Sequence, residues 1–174
     1  MPQPPRPPIL LAVGDGGVRF ERIGDRWHHA VFFGGVTWRS VEGPAEADER
    51  HPASPAFVEV TRLGSAADAP VMAVGQAGRT HFSAVILPDP AFPGAIRFDL
   101  AARVNEPPRA LGSTYVASPG PPCPLRIVPT DGDATLPRTI RWSYRFSPDG
   151  PAALEGASLA AAAGGVPPVP PTPA

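Results

Sequence analysis

The sequence predicts an all-β protein, an antiparallel β-sandwich of about ten short strands, and three observations carry that reading. Between residues 9 and 146, apolar and polar residues alternate in short runs, with almost no 3.6-residue helical spacing. Gly, Pro, Asp or Ser closes nearly every run, as turns between strands require. Proline lies between the runs: eleven of the 27 fall in residues 1–8 and 151–174, and others such as Pro44, Pro52, Pro88 and Pro107 mark connectors.

Taken in order, residues 9–13 and 17–23 are short apolar runs parted by glycine and aspartate. In DRWHHAVFFGGVTWRSVEG, Gly34-Gly35 suits a two-residue primed turn, which needs positive φ. The register that follows pairs Phe33 with Val36, Val31 with Trp38 and His29 with Ser40. One face then carries Trp27, His29, Val31, Phe33 and Trp38, and is the face expected to pack on the core. The other carries His28, Ala30, Phe32, Thr37, Arg39 and Val41. His28 and His29 point to opposite faces and cannot share a metal.

Residues 56–63, 71–75, 79–87 and 94–104 read as four strands with short connections, an antiparallel meander in which Gly75 and Gly78 serve a turn. The run 94–104 sorts Ile96, Phe98, Leu100, Ala102 and Val104 to one side and Arg97, Asp99, Ala101 and Arg103 to the other. After weaker strands at 111–117 and 125–128, residues 138–146 repeat the device, with Ile140, Trp142, Tyr144 and Phe146 inward. The domain boundaries expected are a Pro-rich lead over 1–8, a single β-sandwich over 9–150, and a disordered Ala/Pro-rich tail over 151–174.

Charge excludes several functions. Fifteen Lys+Arg, all of them arginine, against sixteen Asp+Glu give a net charge of −1, so no long-range field draws the chain to nucleic acid or an anionic membrane. Lysine chemistry is absent with the lysines, whose loss fits the GC-rich bacterial composition. The apolar stretch Ile9–Val13 is too short for a secretory leader or a membrane span, so a cytoplasmic protein is expected. Cys123, alone among prolines, reads as an incidental loop residue.

No metal or cofactor is expected. One cysteine and four histidines have no zinc spacing. Asp131 and Asp133 flank a glycine but lack the further carboxylates of a calcium loop, and Asp-Gly reads as a tight turn. The candidate ligand face is polar: Arg79, His81 and Ser83 on one strand beside Arg97 and Asp99 on the next, with Glu59 and Thr61 on the same surface. The expected function is a non-catalytic binding or protein-interaction module for a protein or carbohydrate ligand. The alternative is a small β-framework enzyme, aldose-epimerase-like or isomerase-like, pairing His81 with Asp99 or Glu59.

Overall fold

Residues 6–45, 50–121, 123–130 and 135–161 are described in the computed structural model of the chain. Among them run thirteen strands and no helix. They are β1 (Ile9–Val13), β2 (Gly16–Ile23), β3 (Arg26–Phe33), β4 (Val36–Ser40), β5 (Phe57–Arg62), β6 (Val71–Ala77), β7 (Thr80–Pro88) and β8 (Ile96–Val104). They continue as β9 (Ser113–Ser118), β10 (Leu125–Pro129), β11 (Arg138–Ser147), β12 (Gly150–Ala153) and β13 (Ala157–Ala161). Every pairing is antiparallel.

Turn chemistry sets the hairpins. Gly34 and Gly35 hold φ of 55° and 80°, and the β3–β4 register, Phe33 with Val36 and Val31 with Trp38, is the one the sequence predicts. The β5–β8 meander also forms as predicted. Within it, Gly78 turns with φ 55° beside Arg79. Gly75, expected in that turn, is instead a strand residue opposite Phe57. A Cβ there would lie 1.7 Å from the Ala56 carbonyl oxygen, so close backbone approach is what demands glycine.

The strands form one continuous sheet in place of the two separate sheets of a sandwich, and it branches at β3. One edge of β3 pairs with β2 along most of its length. The other edge pairs with β4 over Ala30–Phe33 and with β5 at Trp27. From the branch, one arm runs β4-β9-β10-β13 and the other β5-β6-β7-β8-β11-β12. The arms meet again at the β12–β13 turn, where Ser143 N–H donates to Glu155 O and Thr130 N–H to Gly156 O, each at 2.9 Å. The result is a nearly closed, barrel-like wrap. On the far side, Ala12 N–H to Ala67 O and the Arg62 guanidinium to Leu10 O tie β1 to the end of β5 and to the β5–β6 connection.

Residues 150–153 and 157–161 are therefore part of the sheet, and the domain extends past the expected boundary at 150. Alanine has low strand propensity, but two partner strands supply the backbone hydrogen bonds, and that pairing overrides propensity. Residues 1–5 of the lead, 162–174 of the tail, and Asp131 and Asp133 lie outside the described residues.

Inside the wrap, the inward sets of β8 and β11 are buried as predicted. Phe98 stacks on Tyr144 with centroids 5.0 Å apart. Two consecutive phenylalanines, Phe32 and Phe33, face outward and inward, and Gly17 and Gly16 lie beside them on β2. A Cβ on Gly16 would stand 2.1 Å from the Phe33 ring, and one on Gly17 2.7 Å from the Phe32 ring. Small residues across from large ones let both rings lie down on the neighbouring strand. Gly16→Ala or Gly17→Ala is expected to destabilise the protein by about 1–3 kcal/mol, because each new methyl also meets a backbone oxygen at 2.7 Å. Urea denaturation of the two variants checks this, and an unchanged midpoint for both would contradict the packing.

Candidate functional site

The residues nominated from the sequence lie on the outer face of β7 and β8, except Arg79, which stands in the turn that leads into β7. Arg79, His81 and Ser83 are exposed, and Arg97 and Asp99 are half-buried. Arg97 Nε donates to Asp99 Oδ1 at 2.7 Å, which raises the Arg97 pKa. Ser143, a residue the sequence reading left without a role, donates to the same oxygen at 2.6 Å. Met72, Ser83, Val85, Asp99, Arg141 and Ser143 border a shallow groove of about 500 Å³ here.

His81 is not brought into that cluster. Its cross-strand neighbours are Gln76 and Arg103, whereas Asp99 sits opposite Val85, four residues farther along β7. At ~3.3 Å per residue the separation along the strand is roughly 13 Å. Glu59 stands opposite Val74 and hence in line with Ser83, two strands and one step away from His81. Neither carboxylate reaches the imidazole, so the histidine–carboxylate pair of the enzyme alternative is not assembled.

A second histidine occupies the centre of the barrel. His29 Nε2 meets the Tyr115 hydroxyl at 2.8 Å, Tyr115 meets the Tyr144 hydroxyl at 2.8 Å, and Tyr144 donates to Ser113 Oγ at 3.0 Å. With Tyr144 donating onward, Tyr115 donates to Tyr144 and His29 carries its proton on Nε2. Nδ1 is then a bare lone pair, and it has no partner among the described residues. The backbone N–H of His29, between the β4 and β5 pairings, donates to Ser40 Oγ at 3.0 Å, and Ser40 donates to Glu42 Oε1 at 2.6 Å. Burial, with the adjacent His28, pulls the His29 pKa from 6.5 down to about 3. Burial likewise lifts Glu42 and both tyrosines above their ordinary values. The neutral, enclosed relay joins strands and offers no open face to a substrate.

A second concavity lies on the outer face of β1–β4, a cleft of about 630 Å³. Register builds it: Leu10, Arg19, Ala30 and Arg39 stand in one row across four strands. Ala30, the short residue of the row, is the floor between two arginine stems. Phe32, leaning over Gly17, forms one end, and His28 beside Glu21 forms the other. Arg19 is paired with Glu21 at 2.7 Å. Burial and the charge of Arg26 hold His28 below its ordinary pKa, so arginine supplies the positive charge of this cleft.

Among the described residues no three His, Cys, Asp or Glu side chains converge as metal ligands. No described helix is long and apolar enough to cross a membrane. Cys123 is exposed and unpaired. No protein-family model, curated protein or solved structure is significantly similar to the chain.

The buried histidine has a consequence in acid. Its folded-state pKa is depressed, so its neutral form supports the fold fully above about pH 6.5, and that support is lost as pH falls toward about 3. Glu42, shifted upward, acts in the opposite sense. Between about pH 6.5 and pH 4.5 the His29 contribution to unfolding free energy is expected to fall by on the order of 2–3 kcal/mol. Denaturant titrations of the wild type and His29→Gln at both pH values isolate it: the variant should lack this loss, and parallel losses would contradict the assignment.

Proposed function

We propose that the chain is a non-catalytic binding module whose ligand occupies the β1–β4 cleft. The observation that carries this reading is the row Leu10–Arg19–Ala30–Arg39, in which a single small side chain opens a recess between two long cationic ones. Ligand sites are concave and combine apolar wall with a few directed polar groups, and here Leu10, Ile23, Ala30 and Phe32 supply the wall and Arg39 and Thr37 the polar groups. The sequence-nominated face is the weaker candidate: its groove is smaller, and Asp99 is already satisfied by Arg97 and Ser143. A carbohydrate or peptide on that face stands second, with Arg79, His81 and Ser83 free to join it.

The test is a fragment-library screen followed by backbone amide NMR on the full chain. Bound fragments are expected to shift the Ala30, Thr37 and Arg39 amides, and Ala30→Trp, which fills the floor from a solvent-facing position, should abolish those shifts while leaving the melting temperature within a few degrees. Fragments that gather instead over His81 and Arg103, or that leave Ala30 unmoved throughout, would overturn the reading.

A further inference from the structure

Resting on the reading of the β1–β4 cleft as a ligand site, we infer that it takes an amphipathic monocarboxylate, with an apolar body over Ala30 and Phe32 and its carboxylate on the Arg39 guanidinium. The charge balance of the cleft supports this first. Arg19 is neutralised by Glu21, and Arg39 has no carboxylate partner among the described residues. One planar cation is thus left over, and a guanidinium presents two parallel N–H donors that match one carboxylate. Thr37, two residues along the same face of β4, offers a hydroxyl beside it.

The apolar half of the ligand follows from surface left uncovered. Ile23 and Leu10 border the cleft at 54% and 43% exposure, among the most exposed large apolar side chains described. Phe32 adds a half-buried ring, and the methylene stems of Arg19 and Arg39 add apolar walls. A small inorganic anion would meet one exposed arginine in water, worth about 1 kcal/mol or less. A second negative charge would approach Glu21, which lines the same cleft. An alkylammonium would face two arginines. The combination that uses every wall is one negative charge on a hydrocarbon.

Sodium octanoate, 1-octanol, octylamine and inorganic phosphate, titrated into the full chain below micellar concentration and followed by calorimetry and amide NMR, test this. Octanoate is expected to shift Ala30, Thr37 and Arg39 and to bind up to about fivefold tighter than the other three, the share of one exposed charge pair. Arg39→Gln should remove that preference, and Arg79→Gln, on the distant polar face, should leave it intact. Equal octanoate and 1-octanol affinity at Ala30 would overturn the carboxylate assignment while leaving the cleft a ligand site. Phosphate binding as tightly as octanoate would overturn the monocarboxylate. Octanoate binding that leaves Ala30 unmoved, or none at all, would overturn this inference, and the fragment screen then decides separately whether the cleft binds anything.

Discussion

The hydrogen-bonded relay His29–Tyr115–Tyr144–Ser113 is the constraint on which the rest of the barrel depends. Its members come from β3, where the sheet branches, from β9 in one arm and from β11 in the other. A sheet that forks loses ladder partners at the fork, and an N–H buried there must find another acceptor. Ser40 supplies it for His29, and the imidazole reaches inward to Tyr115 of one arm, which meets Tyr144 of the other. Phe20 and Phe98 pack against the ring at 5.5 and 5.8 Å, so the polar chain is sheathed in aromatics. In so buried a setting each hydroxyl is expensive to leave unmet, and this fixes the relative placement of the two arms more firmly than apolar contact alone.

The same β2–β3–β4 register produces the outer cleft. Placing Val18 against Val31 and Val31 against Trp38 sends those residues inward, and it sends Arg19, Ala30 and Arg39 outward in line. Gly16 and Gly17 then accept the two phenylalanine rings on opposite faces. A one-residue slip would reverse every one of these positions. Core packing and outer recess are therefore two faces of one alignment, and the recess comes at no further structural expense.

Much of this was legible in the sequence because half-buried strands sort residues by parity. The inward sets of β8 and β11, the β3–β4 register and the outward row His28, Ala30, Phe32, Thr37 and Arg39 all follow from alternation. That the outward row makes a recess did not, since its depth depends on Arg19 arriving from β2, and alternation within one hairpin says nothing of its neighbour's register. The fork at β3 was hidden for a related reason: β4 ends at Ser40 and β5 enters only at Phe57, a long-range pairing without a local signal. Strands β12 and β13, poor in β-branched residues, follow their partners rather than their composition. His81 drew notice by standing beside Arg79 and Ser83, but a shared strand face sets only direction, and the strand kept it far from Asp99.

A double-mutant cycle on Tyr115→Phe and Tyr144→Phe tests most directly whether the relay holds the two arms together. Each single change removes one hydroxyl at little cost in volume, and denaturant unfolding of the two single variants and the double variant gives their coupling. Because the hydroxyls meet at 2.8 Å in a buried site, the account predicts a coupling of about 1 kcal/mol or more. Losses that add to within about 0.3–0.5 kcal/mol, as for distant independent residues, would contradict it.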